Sequence, residues 1–203
     1  DEGEAMVAES MQEVCMEYTD ALLYDNALNR YTMKNMEHMM QKCVSNISYQ
    51  LGKGRFVPKE YEVSFHVVEN LKDLDISLSD KDKMRLSGRI DRMDTCEKED
   101  KVFVKIVDYK SGDKNFDLAA FYHGTQLQLV VYMNEALKRA EKLHPGKEAV
   151  SAAMLYYHVD DPVVEGTVKM SPEEVNGKVR EALRMKGVIN SDGDILEALD
   201  TTK

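Results

Sequence analysis

Cysteine is scarce in this 203-residue chain: Cys15, Cys43 and Cys96 are scattered, odd in number and without C-x-x-C spacing. That argues against a disulfide framework and a self-contained zinc site, and it suits a reducing cytoplasm. Long apolar runs are missing as well. No stretch approaches the ~20 residues that cross a bilayer, and no secretory leader pattern is visible. Positive charge is in deficit, with a net charge of −10 and, in the first fifty residues, nine acids against three bases. A general nucleic-acid binder carries the opposite sign. Any nucleic-acid site here therefore needs a local basic patch or a metal. Internal repeats and low-complexity tracts are absent too.

What is present suits one ample globular domain, 43% hydrophobic. Glu4 to Tyr24 reads as a helix, rich in Ala, Glu, Met and Leu and free of proline. A second helix is expected over Asn26 to Tyr49, where Met33, Met36, Met40, Cys43 and Ile47 recur by threes and fours as one apolar stripe. His38 lies off that stripe, in solvent. A strand follows over Tyr61 to Val68, with Tyr61, Val63, Phe65 and Val67 on one face and Glu62, Ser64 and His66 on the other. After a charged loop, Met84 to Asp94 and Val102 to Lys110 read as an antiparallel hairpin closed by a polar turn. Beyond a short turn over Phe116 to His123, a long helix is expected from Gly124 to Leu143, then a strand over Ala149 to Val159. Asp160-Asp161-Pro162 reads as turn chemistry. Ser171 caps a last helix that begins at Pro172 and ends near Lys186-Gly187.

The chemistry gathers around Val104-Lys105-Ile106-Val107-Asp108-Tyr109-Lys110-Ser111-Gly112. Its apolar, β-branched start suggests a buried strand. Alternation then puts Asp108 and Lys110 on one face, about 7 Å apart at roughly 3.3 Å per residue. An acid and an ammonium side by side can hold a divalent metal and a phosphate together. Glu62 and Asp91, on the two preceding strands, could join them. Each has a plain alternative: Glu62 as a solvated residue, Asp91 as a partner of Arg89 or Arg92. Yet Asp91 sits between the apolar Leu86 and Met93, where an acid is either paired or employed. Three carboxylates would form the oxygen-rich site that Mg²⁺ or Mn²⁺ prefers. Gln128 and Tyr132, four apart on a helix, could face the same cleft. Alternatively, Thr125-x-x-Gln128 forms a capping box.

The ordered set Glu62, Gly88-x-x-Asp91-Arg92, Asp108-x-Lys110, Gln128-x-x-x-Tyr132 resembles the PD-(D/E)XK nucleases of the RecB type. A closer resemblance, to the C-terminal nuclease domains of the AddB family of helicase–nuclease subunits, extends over nearly the whole chain. Gly88-Arg-Ile-Asp-Arg92, Ile106-Val-Asp-Tyr-Lys-Ser-Gly112, Gln126-Leu-Gln-Leu129, Met154-Leu-Tyr-Tyr-His158 and Arg184-Met-Lys-Gly187 carry it. It implies an α/β, restriction-endonuclease-like core over residues 55–203, a mixed central sheet flanked by helices, preceded by a helical segment over 1–54. It also implies Mg²⁺-dependent hydrolysis of DNA phosphodiesters in double-strand-break processing, beside an AddA-like partner subunit. By the family pattern Asp91 and Asp108 ligate the metal, Lys110 orients or activates water, Glu62 supports the site, and Gln128 and Tyr132 position DNA.

Two departures stand out. The RecB-type pattern includes a metal-binding histidine upstream of the first strand, and the surroundings of His38 do not match it. AddB proteins also hold an iron–sulfur cluster, and Cys15, Cys43 and Cys96 do not fit its ligand pattern. The chain is therefore expected to be a fragment of a longer polypeptide, and by itself a weak nuclease. The competing expectations are a non-catalytic scaffold that binds DNA or a partner, and a Cas4-like exonuclease.

Overall fold

Glu2–Thr19 and Ala27–Lys53 form the helices α1 and α2 in the computed structural model, which describes residues 2–19, 26–70, 83–112 and 115–202. The expected continuation of the first helix to Tyr24, and the loop over 71–82, lie outside the described residues. Asn26 caps α2 by accepting the Asn29 N–H at 2.8 Å, which satisfies one of the donors a helix start leaves open. The methionine stripe is buried unevenly. Met33 and Cys43 are covered, whereas Met36 is exposed. His38 is exposed, as its position off the stripe predicts.

Three strands follow, Val57–Asn70 (β1), Lys83–Lys98 (β2) and Lys101–Lys110 (β3), then the helices Leu118–Tyr122 (α3) and Gln128–Leu143 (α4). Glu148–His158 (β4) and Pro172–Ala182 (α5) come next, then Lys186–Ile189 (β5) and Gly193–Leu199 (α6). The sheet runs β1-β2-β3-β4-β5. It is mixed: β3 and β4 are parallel, joined across α4, and every other neighbouring pair is antiparallel. A parallel pair needs such a crossover.

Helices cover both faces. On one, α4 sends Leu129, Met133, Ala136 and Ala140 against Ile90, Met93, Val104 and Ile106. On the other, Cys43 and Ile47 of α2 pack on Val107 and Tyr157. Asn46 of α2 fixes that contact, donating to the Tyr157 hydroxyl (3.2 Å) and the Leu183 carbonyl (3.1 Å). The near-continuous burial of β3 follows from these two layers. Farther along the α2 face, Phe56, Cys96, Phe103 and Ala152 close over Ile195 and Ala198 of α6.

The structure departs from the sequence reading in several elements. The hairpin strands run on to a two-residue turn at Glu99–Asp100, so Cys96 is a buried strand residue rather than part of a turn. The expected alternation of β1 fails at its start. The ladder slips between Pro58 and Glu60, and Glu62 takes a left-handed backbone, φ +51°. Consequently Glu60 reaches Arg139 of α4 while Val63 and Phe65 also face the α4 core, and Tyr61 is exposed, apart from them. The side chain of His66 lies outside the described part. Helix α4 starts at Gln128 rather than Gly124, and α5 stops at Ala182, leaving β5 and α6 as additions. The capping box expected for α5 is present, Ser171 and Glu174 exchanging bonds.

Candidate active site

The site forms where the sheet divides. Pairing of β2 with β3 ends at Arg92↔Val107. Beyond it, β2 continues beside β1, and β3 continues beside β4 to Lys110↔His158. Asp91 and Asp108 therefore stand opposite each other at the fork. The Tyr109 N–H, which has lost its strand partner, donates instead to Asp91 Oδ2 at 2.8 Å. A buried backbone donor seeks a partner, so the Asp91 carboxylate is held one peptide away from Asp108.

Asp108 is buried, and the side chains of Lys110 and Gln128 converge on it. Lys110 Nζ lies 2.5 Å from Asp108 Oδ2. Gln128 Nε2 donates to Asp108 Oδ1 (3.0 Å) and to the Tyr132 hydroxyl (3.0 Å), and Gln128 Oε1 accepts from Lys110 Nζ (3.2 Å). That amide orientation is forced, since a carboxylate only accepts and an ammonium only donates. Lys110 Nζ also sits 5.0 Å from the Tyr156 ring centroid, a cation–π contact. Burial pushes the Tyr156 phenol up, with the Lys110 ammonium opposing it. Lys110 is thus largely buried, its side chain only 16% exposed.

Gln128 takes its place through the helix start. The expected capping box does not form: Thr125 Oγ1 donates to the Ala120 carbonyl instead (3.0 Å), and α4 has no side-chain cap. The Gln128 amide is left for the site. Gly88 makes room for the other end of the chain of contacts. A Cβ there would lie 2.7 Å from Phe65 Cζ and 2.9 Å from Tyr132 Cε1. Only a glycine lets β2 pass this close to the tyrosine.

Asp108, Lys110, Gln128 and Tyr132 therefore form one hydrogen-bonded group, with Asp91 joined to it through the Tyr109 peptide. Glu62 stands differently. It is exposed and pairs with Arg89 at 2.9 Å. His38 lines a cavity with Gln41, Lys42 and Arg180 on the α2 side.

A buried ion cluster on the opposite face escaped the sequence reading. Arg92 holds Asp94 in two bonds, Nε to Oδ1 (2.8 Å) and Nη2 to Oδ2 (3.0 Å). Lys105 approaches Asp94 Oδ2 at 2.9 Å, and Arg92 Nη1 donates to the Tyr109 hydroxyl at 2.9 Å. Burial pulls the Arg92 guanidinium down, but Asp94 and Tyr109 outweigh it and the net direction is up. For Lys105 burial wins over Asp94, and its pKa falls below the ordinary value. Part of the signal was available: Lys105 sits within the otherwise apolar run Val102 to Val107, and Arg92 and Asp94 alternate with the apolar Met93. The cluster clamps β2 to β3 just before they part.

The matching family model, the PD-(D/E)XK nuclease superfamily, covers residues 1–198. The chain belongs to the PD-(D/E)XK nuclease superfamily. The five-stranded mixed sheet with flanking helices agrees with the restriction-endonuclease-like α/β fold of that superfamily, whose members are in general dependent on a divalent metal. Among curated proteins, the chain is 33% identical over 194 residues to the B subunit of an ATP-dependent helicase/deoxyribonuclease from Clostridium novyi, covering 96% of the chain and 17% of that protein. The protein of the same name from Caldanaerobacter subterraneus subsp. tengcongensis is 35% identical over 180 residues, 88% of the chain and 15% of that protein. Its counterpart from Alkaliphilus metalliredigens is 31% identical over 201 residues, 98% and 17%. The chain thus spans about a sixth of the length of these relatives.

The oxygen donors at the fork are the carboxylates of Asp91 and Asp108. Among the described residues no group of three or more His, Cys, Asp or Glu is placed to hold an ion. Two carboxylates nevertheless suit Mg²⁺, which keeps several waters and takes substrate phosphate as a further ligand. An iron–sulfur cluster finds no such fit. Cys43 and Cys96 are buried in separate clusters, and Cys15 lies on α1. No helix among the described residues is long and apolar enough to cross a membrane.

Proposed function

We propose that this chain is the Mg²⁺-dependent DNA exonuclease domain of a longer helicase–nuclease subunit, acting in double-strand-break repair and recombination in the cytoplasm. The observation that carries the reading is the Asp108–Lys110–Gln128–Tyr132 group at the fork of the sheet, with Asp91 across from it. Relatives named as helicase/deoxyribonuclease subunits support the wider setting. DNA and an AddA-like partner subunit follow from the same resemblance. The iron–sulfur cluster of that family would belong to segments other than the described residues.

Asp91 and Asp108 would hold the metal, which supplies charge neutralisation at the phosphate and a more acidic water. Lys110, an ammonium in an ion pair, has no lone pair with which to take a proton. Its part is to fix the attacking water and to offset negative charge growing on the phosphate as the leaving P–O bond breaks. Gln128 holds Lys110 and Asp108 in register, so neither must reorganise during the reaction. Tyr132, oriented by Gln128 and packed at 5.6 Å centroid distance on Phe65, offers a ring and a hydroxyl to the DNA strand. Glu62 has the weaker claim: its carboxylate supports the site only if its pairing with Arg89 opens.

Single-stranded and duplex DNA, incubated with Mg²⁺ or Mn²⁺ and the chain or its longer parent with partner, test this. Asp108→Asn and Lys110→Ala should abolish cleavage while leaving circular dichroism unchanged. Cleavage that survives both substitutions would refute the assignment, and a wild type that binds DNA but never cuts it would make the fold a scaffold.

A further inference from the structure

Beside Lys110, the ends of β3, β4 and β5 line a cavity of about 250 Å³ that shares that lysine with the catalytic group and touches none of its other members. Its walls include Lys110, Arg184, Lys186, His158, Asn115 and Asp160, with the backbone turn at Ser111-Gly112. We propose that this cavity is a phosphate subsite, occupied by a backbone phosphate of the substrate strand next to the one being cleaved. The proposal rests on the nuclease reading above and specifies where that site takes hold of its DNA.

The register places the cations. Tyr156 of β4 is opposite Asp108 on one side and Lys186 on the other. Partners across a ladder share a face, so Asp108, Tyr156 and Lys186 form one row across the sheet. Two strand spacings separate its ends, about 10 Å. A strand whose scissile phosphate meets Asp108 and Lys110 thus has a neighbouring phosphate within reach of Lys186. Asn115 steadies that lysine, accepting from Lys186 Nζ at 3.3 Å. Arg184 adds a second cation, with a fork geometry suited to phosphate oxygens.

The remaining walls agree. Among the described residues lining the cavity Asp160 is the one carboxylate, and its Oδ1 is engaged by the Asp161 N–H at 2.8 Å. His158 Nε2 is buried without a hydrogen-bond partner among the described residues, a condition that destabilises a polar wall unless a ligand completes it. Charge gives the strongest reason. The whole chain carries −10 and repels DNA, so affinity must come from a local concentration of cations. This cavity gathers Arg184 and Lys186 beside the catalytic lysine.

The test is the salt dependence of single-stranded DNA binding, followed by fluorescence anisotropy of a labelled oligonucleotide between about 20 and 200 mM salt. Each phosphate contact contributes roughly 0.7 to the slope of log K against log salt for a single strand. Lys186→Ala should lower the slope by about that amount and weaken binding roughly tenfold at low salt. Lys186→Arg should restore both, and Lys59→Ala, an exposed lysine beside Glu97 at the far end of the sheet, should change neither. With oligonucleotide as substrate, Lys186→Ala should raise KM with kcat held. An unchanged slope in both Lys186→Ala and Arg184→Ala would overturn the subsite. A loss seen only with 5′-phosphorylated oligonucleotide would replace the backbone phosphate by a terminal one and overturn the assignment. A wild type that shows the normal slope yet cuts no DNA would sink the nuclease reading alone.

Discussion

Gly88→Ala tests the approach of β2 to the candidate site more sharply than any substitution of a charged residue. The new methyl would sit 2.7 Å from Phe65 Cζ and 2.9 Å from Tyr132 Cε1, inside van der Waals contact on both sides. Overpacking of this kind costs about 1–3 kcal/mol. Against it, replacing glycine by alanine restricts the unfolded chain and stabilises by about 0.4–1 kcal/mol. Both contacts are ring edges on half-buried side chains, which can yield a few tenths of an ångström, so the lower part of the range applies. With about 1–2 kcal/mol lost and about 0.5 kcal/mol regained, the net expectation is a loss of about 0.5–1.5 kcal/mol. At a urea m-value of about 2 kcal/mol/M that moves the unfolding midpoint down by roughly 0.3–0.8 M with m unchanged. Activity should fall further than stability, because Tyr132 is displaced from Gln128, its 3.0 Å partner. Trimming one ring relieves the clash: Gly88→Ala with Phe65→Leu should be less unstable than the sum of the two single changes, by about 0.5 kcal/mol or more. A midpoint that stays put or rises in Gly88→Ala, with purely additive behaviour in the double variant, would refute the close-approach reasoning.

The remaining expectations concern the clamp and the strained strand. Asp94→Ala strands Arg92 and Lys105 in the core and should cost about 3–5 kcal/mol by urea unfolding; a loss under about 1 kcal/mol would mean that the cations find water. Lys105, depressed by burial against the attraction of Asp94, binds its proton less tightly folded than unfolded. Between its lowered value and the ordinary 10.5 the unfolded state therefore holds more protons, and stability should rise with pH. Wild type should gain on Lys105→Met as pH climbs toward that limit, and the opposite slope would contradict the burial argument. At Glu62, φ +51° penalises any side chain with a Cβ, so Glu62→Gly should be more stable than Glu62→Ala by about 1 kcal/mol. Equal stabilities would place that residue in an ordinary strand conformation.

Short-range periodicity was enough to find the ingredients of the site. Two-residue alternation located the strands carrying Asp91 and Asp108. Turn residues bounded them, and a proline after Ser171 marked the last long helix. The ordered set of Glu62, Asp91, Asp108, Lys110, Gln128 and Tyr132 was legible as a family pattern, and four of these six form a single hydrogen-bonded group, with Glu62 outside it. Contacts between distant segments settled the rest. Whether Gln128 capped its helix or entered the site depended on how β3 presents Asp108 and Lys110 to the start of α4, a relation between segments about twenty residues apart. The burial of Lys110 came from Tyr156, forty-six residues along the chain and adjacent only through the parallel pairing across α4. Glu62 stands outward where its own left-handed backbone, φ +51°, interrupts the pleat, and alternation read from sequence assumes an unbroken pleat. The short β5, which brings Lys186 into the row of Asp108 and Tyr156, has too few residues for any periodicity to declare itself. It forms because the edge of β4 offers unpaired backbone groups, and those exist only once the sheet has assembled.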